Sequence, residues 1–127
     1  MNPIGLPKSV RAVRGATTVE ADTSEQIKVR TTELLEQILQ RNNIENEDLI
    51  SIIFTATPDL ASDFPAAAAR GLGLSDVPLL CSQELAVKGA VERCIRVLIH
   101  FQTRLERSRV RHVYLHNAKQ LRLDLPE

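Results

Sequence analysis

The chain has no tryptophan, one tyrosine and three phenylalanines in 127 residues, and it has no net charge, since sixteen basic side chains balance sixteen acidic ones. Nucleic-acid and membrane-surface binders carry a basic excess, and base-stacking sites need aromatics, so both classes are disfavoured, including RNA binding through the basic "RLERSRVRH" stretch. The two cysteines, Cys81 and Cys94, make no disulfide framework and have no metal-type spacing. No apolar run approaches the roughly 20 residues needed to cross a bilayer. "MNPIGLPKSV" lacks an apolar h-region, which predicts no signal peptide and a cytoplasmic protein. Gly-rich phosphate loops, nucleophile elbows and zinc patterns are also missing. His112 and His116 are four apart but lack a third ligand, and Cys81 has no base beside it in sequence and reads as a small buried hydrophobe.

What is present suits one domain over residues 1–127, with an N-terminal arm at 1–9 and a C-terminal tail at 123–127. A short strand at Val10–Arg14 is expected to stop at Gly15. The clearest helix spans Ser24–Arg41, with Thr23 and Gln26 at capping-box spacing and Asp22 as an alternative cap. Ile27, Thr31, Leu34, Leu35, Ile38 and Leu39 form its apolar stripe. "LISIIFTA" (49–56) alternates as a strand, with Ile50, Ile52 and Phe54 on one face and Leu49, Ser51, Ile53 and Thr55 on the other. "FPAAAAR" (64–70) reads as a short helix ended by Gly71 and Gly73, followed by strands at about Val77–Cys81, Val91–Gln102 and Val110–Leu115. These elements predict an α+β fold, a five-stranded sheet with one long helix on one face and a short second helix. One helix cannot cover both sides, so the other sheet face is expected to be buried in a symmetric homo-oligomer.

Within the strand "CIRVLIHFQ" one letter is out of place. Ile95, Val97, Ile99 and Phe101 share an apolar face, while Arg96 lies on the other with Cys94, Leu98 and His100. A guanidinium does not deprotonate, so Arg96 is either paired, with Glu84 as the candidate partner, or points into a cavity that takes an anion. Arg14, Arg70 and Arg122 also stand beside apolar or small residues, and Tyr114 interrupts the final strand. Each of these has an ordinary structural reading, as a surface charge, a strand end or a core aromatic. The residues alone lead to an anion-binding pocket of undefined purpose.

Six motifs then appear in order: "VRGATTVEAD" (13–22), "TATPDL" (55–60), "FPAAAAR" (64–70), "VPLLCSQE" (77–84), "CIRVLI" (94–99) and "RHVYLHNAKQLRLDL" (111–125). Together they resemble the small monofunctional chorismate mutases of the AroH class, from about Val10 to Leu125. The resemblance implies a homotrimeric pseudo-barrel with active sites between subunits. It also implies an isomerase that converts chorismate to prephenate in phenylalanine and tyrosine biosynthesis, without cofactor or metal. It assigns Arg96 to the ether oxygen, Arg14 to the enolpyruvyl carboxylate with Tyr114 beside it, and Glu84 to the ring hydroxyl. Leu79, Leu80, Cys81, Ser82 and Gln83 are expected to line the pocket. Phe64 and Ala66 are expected as an apolar wall from the neighbouring subunit, and Arg70, Leu121 and Arg122 near the mouth. Ala67 and Leu80 depart from the family pattern, which has a lysine and a threonine there.

Two other readings compete. A trimeric imine or enamine deaminase would share the oligomeric architecture, but these motifs are not its motifs. A non-catalytic anion-binding regulatory trimer would need Arg96 but not the acceptor Glu84.

Overall fold

Helix α1 (Ser24–Arg41) begins where Thr23 adopts extended backbone and its hydroxyl accepts the Gln26 N–H at 3.1 Å. The expected capping box is only half formed. Gln26 reaches back past Thr23 to accept from the Glu20 N–H, and Asp22 caps nothing here but accepts from the N–H groups of Ala61 and Ser62. The predicted stripe is the buried face of α1, with Leu39 half-buried at its edge. It lies on a five-stranded sheet in this computed structural model, which describes residues 7–123; the outer parts of the expected arm and tail fall outside the described residues.

The strands are β1 (Ser9–Thr18), β2 (Leu49–Ala56), β3 (Leu79–Gln83), β4 (Cys94–Thr103) and β5 (Val113–Tyr114), in spatial order β3-β2-β4-β1-β5. Central β4 runs antiparallel to β1 and β2, and the outer pairs β1–β5 and β2–β3 are parallel, so the sheet is mixed. Short helix α2 (Ala66–Gly71) buries Ala66, Ala68 and Ala69 in the same core, and Gly73 ends the turn after it at φ +81°. The core side of the sheet is Val13 of β1, Ile52 and Phe54 of β2, and Val97, Ile99 and Phe101 of β4, against Leu34, Leu35 and Ile38 of α1.

All five strands depart from expectation, in their bounds or in their register. β1 runs through Gly15 to Thr18 because the glycine is a contact point and not a stop. A Cβ there would lie 2.7 Å from Ile38 Cδ1, 3.1 Å from Leu34 Cδ1 and 3.0 Å from the Val113 carbonyl oxygen. The missing side chain lets α1 and β5 close on β1. Gly15→Ala is therefore expected to destabilise the fold by about 1–3 kcal/mol, since the Val113 carbonyl belongs to backbone and cannot rotate aside; a lowered thermal midpoint would register it.

In β2 a bulge sets Leu49 opposite Phe101 and Ser51 opposite His100, which moves Leu49 towards the core and leaves Ile50 exposed, against the simple alternation. β3 starts two residues later than Val77 and ends at Gln83, and β4 starts at Cys94 and not at Val91, because Arg93 takes a φ of +47° outside the strand region. The last strand shrinks to two residues because its flanks are bonded elsewhere: Asn42 Oδ1 accepts the Arg111 N–H and Asn42 Nδ2 donates to the Arg111 carbonyl. Residues His116–Leu121 then form a 3-10 turn.

Candidate active site

The sheet face opposite α1 carries the polar residues in rows. Arg96 stands opposite Thr55 of β2 on one side and Ala16 of β1 on the other. Beyond these, Ser82 of β3 pairs with Thr55 and Tyr114 of β5 pairs with Ala16. One row thus crosses all five strands, each step about 4.7–4.9 Å. The next row is Leu80, Ile53, Leu98 and Arg14. Arg14 is a diagonal neighbour of Arg96, at roughly 7–8 Å between backbones. Ala16, fully buried between Arg96 and Tyr114, makes a low floor among three long polar side chains.

Glu84 arrives from the turn after β3, its N–H donating to the Ala56 carbonyl at 2.9 Å. Its Oε2 accepts from the Thr55 hydroxyl at 2.7 Å and lies 3.4 Å from Arg96 Nε. The last contact is ionic and not a hydrogen bond, because Nε is buried and its N–H finds no aligned acceptor. The Arg96 side chain is nevertheless 43% exposed and that of Glu84 27%. With Nε shut away, the exposure of Arg96 belongs to the rest of its side chain. The guanidinium is thus both paired and open to a guest. Beside it Cys94 is buried, and burial pushes its thiol pKa up with Arg96 pulling only partly the other way, so it stays a neutral packing group.

The C-terminal turn closes one side. Tyr114 and Leu121 pack on Ala16, Cys94 and Ala118. The Leu115 N–H donates to the Ala16 carbonyl and the Asn117 N–H to the Thr18 hydroxyl, which pins residues 116–121 along β1. His112 Nδ1 accepts the Arg14 N–H at 3.0 Å. Burial first, then the charges of Arg14 and Arg122, hold the His112 pKa below its ordinary 6.5, which also places both arginines in one neighbourhood. A base with a depressed folded pKa binds fewer protons folded than unfolded. Its contribution is therefore complete above 6.5 and is lost as the pH falls below that value. An NMR titration should find His112 more than half neutral at pH 6.5, and protonation should release the Arg14 N–H and loosen β1 there.

A second group lies apart. At the C-terminal ends of β2 and β3 a cleft of about 570 Å³ is lined by Phe64, Cys81, Ser82 and Gln83 with Pro58 and Leu60 among its other walls. Phe64 is 68% exposed there. Leu79 and Cys81 are in register with Ile52 and Phe54, so they face the α1 side, away from Arg96. Ala66 is buried in α2 and Arg70 is exposed on it. The expected site residues therefore fall into two sets: Arg14, Leu80, Ser82, Glu84, Arg96, Tyr114, Leu121 and Arg122 around the open face, and Phe64, Ala66, Arg70, Leu79, Cys81 and Gln83 near the cleft and α2. Ser82 touches both.

The sequence model of the family described as chorismate mutase type I matches residues 10–125. The chain belongs to that family. It is 46% identical over 117 residues to the chorismate mutase AroH of Bacillus subtilis (strain 168), covering 91% of this chain and 92% of that one. It is 51% identical over 117 residues to the chorismate mutase AroH of Thermus thermophilus, covering 91% and 96%. A solved chorismate mutase from Clostridium thermocellum superposes with a TM-score of 0.86 at 44% identity, over 87% of this chain and 98% of that one. The mixed sheet with its long helix is therefore the chorismate mutase fold, and as a chorismate mutase the protein is an isomerase.

Within this chorismate mutase two polar groups of the open face have no role there that is legible from sequence, where His112 figures only as an incomplete metal pair with His116. Thr55 was legible only as one residue of a mixed strand face; that it meets Glu84 depends on a turn after β3. His112 had a basic neighbourhood in "VRH" but nothing to show that its ring caps a backbone N–H of β1. Among the described residues no group of three or more His, Cys, Asp or Glu side chains could hold a metal ion, and no helix is long and apolar enough to cross a membrane.

Proposed function

We propose that Arg96, Arg14, Glu84 and Tyr114 form the catalytic half of a site that rearranges chorismate to prephenate. The reaction is a concerted shift within one molecule: the ether carbon–oxygen bond breaks as a new carbon–carbon bond forms. No proton moves to the protein and no covalent intermediate is needed. The protein has two tasks, to hold a flexible dianion in its compact reactive shape and to stabilise negative charge that grows on the ether oxygen.

The observation that carries this reading is the state of Arg96, in contact with Glu84 yet 43% exposed. A fixed cation beside the breaking bond acts more strongly on the polarised transition state than on the resting ether, which is the differential binding that lowers a barrier. Arg14, a diagonal step away, takes the enolpyruvyl carboxylate, with the Tyr114 hydroxyl beside it. Glu84 accepts from the ring hydroxyl and fixes which face of the ring is presented. Leu121 and Arg122, carried by the pinned C-terminal turn, border the mouth. A purely anion-binding role gives no reason for Glu84, because a carboxylate beside the cation weakens anion capture.

The separation of the two residue sets supports a site shared between copies. Phe64, Arg70 and Cys81 then come from a neighbouring subunit and supply the wall that the open face lacks, while Ala66, expected in that wall, is packed in the core of its own subunit and only backs it. Leu80 at 61% exposed, with Ile53 and Leu98 beside it, is the apolar surface that a homotrimer covers. The setting is aromatic amino acid biosynthesis in the cytoplasm. Purified protein incubated with chorismate and a chelator is expected to remove the substrate's ultraviolet absorbance and yield prephenate. Loss no faster than the spontaneous background would end this reading.

A further inference from the structure

Thr55 does not face a substrate in the assignment above, yet its hydroxyl ends on the one carboxylate oxygen that decides the state of Arg96. Thr55 Oγ1 donates to Glu84 Oε2 at 2.7 Å, and the same Oε2 lies 3.4 Å from the buried, unbonded Arg96 Nε. The register makes this contact: Thr55 stands directly between Arg96 of β4 and Ser82 of β3, and Glu84 is tethered one residue further along β2 through the Ala56 carbonyl.

A carboxylate and a guanidinium this close have a strong competing arrangement. Two parallel N–H···O bonds would join them as a planar fork, using both carboxylate oxygens and two guanidinium N–H groups. That pair would be comfortable and inert, leaving neither partner free for a substrate. The hydroxyl bond takes one lone pair of Oε2 and fixes the plane of the carboxylate, and in that orientation Arg96 Nε has no aligned acceptor.

We infer that Thr55 is a positioning residue that keeps Glu84 and Arg96 from closing on each other and so holds both ready for the reacting molecule. The inference rests on the roles proposed above for those two side chains.

Thr55→Val preserves shape and strand preference while removing the hydroxyl, and Thr55→Ser restores a hydroxyl. With chorismate as substrate, Thr55→Val is expected to lose kcat on the order of tenfold to a hundredfold, more than KM changes, and Thr55→Ser to recover most of that loss. In a Glu84→Ala background Thr55→Val is expected to add no further loss, because its target has gone. A merely structural threonine would cost the same in both backgrounds, and that result would overturn the inference. So would wild-type kcat in Thr55→Val when Arg96→Ala is inactive, an outcome that leaves the site assignment standing. Wild-type kcat in Arg96→Ala would remove the site assignment and this role together. If Thr55→Val does not fold, Thr55→Ala against Thr55→Ser is judged by the same criteria.

Discussion

Arg96→Ala is expected to lower the maximal rate of chorismate rearrangement by at least on the order of a hundredfold while leaving the chain folded. The rate argument follows from where the charge develops. A cation at the ether oxygen contributes little while that oxygen is neutral and much once it carries charge, so its removal should fall mainly on kcat. The stability argument follows from exposure. Arg96 keeps 43% of its side chain in water and Glu84 27%, and Glu84 retains its bond from Thr55. A contact so placed is worth at most about 1 kcal/mol to folding. Arg96→Lys keeps the charge but loses the planar donor set, and it is expected to fall between the alanine variant and the wild type. Steady-state kinetics beside thermal melts separate the two effects. A folded alanine variant with wild-type turnover would remove Arg96 from the mechanism.

Most of the scaffold that holds this arginine was legible because periodicity reports burial. The α1 stripe and the split of β4 into an apolar and an Arg96 face were read correctly, since packing against one helix imposes the 3.6 and 2.0 periods directly. Failures came where long-range contacts override local pattern. Gly15 looks like a strand breaker in isolation, but in the fold its bare Cα is where α1 and β5 approach β1. The Ile50 bulge inverts two residues of β2, and no alternation rule shows an inserted residue. The final strand is short because Asn42, 69 residues earlier, satisfies the backbone of Arg111. For the site, composition led only to an arginine needing a partner or a guest. The fold gives it the partner Glu84 and still leaves 43% of its side chain exposed. Cys81 and Glu84, three positions apart in one motif, end up directed to different sides of β3, and that division is visible only with the strand register in place.

That division leads to the other large effect. Ile53 sits in the middle of the open face, between Leu80 and Leu98, while its neighbours Ile52 and Phe54 fill the core. Ile53→Asp should leave the single subunit folded, because the changed side chain is only half-buried within it. In a trimer that covers this face, the same carboxylate would be stripped of water with no partner, at a cost of several kcal/mol per subunit. Three such costs in one assembly exceed what a moderate interface supplies. The expected outcome is a monomer near the 14.2 kDa of one chain by light scattering, where the wild type scatters as three chains, with circular dichroism unchanged. Turnover should fall with assembly, because Arg96 and Glu84 would remain while the Phe64, Arg70 and Cys81 wall from the neighbouring copy would be gone. A monomeric Ile53→Asp protein that converts chorismate at the wild-type rate would mean that one chain holds the whole site.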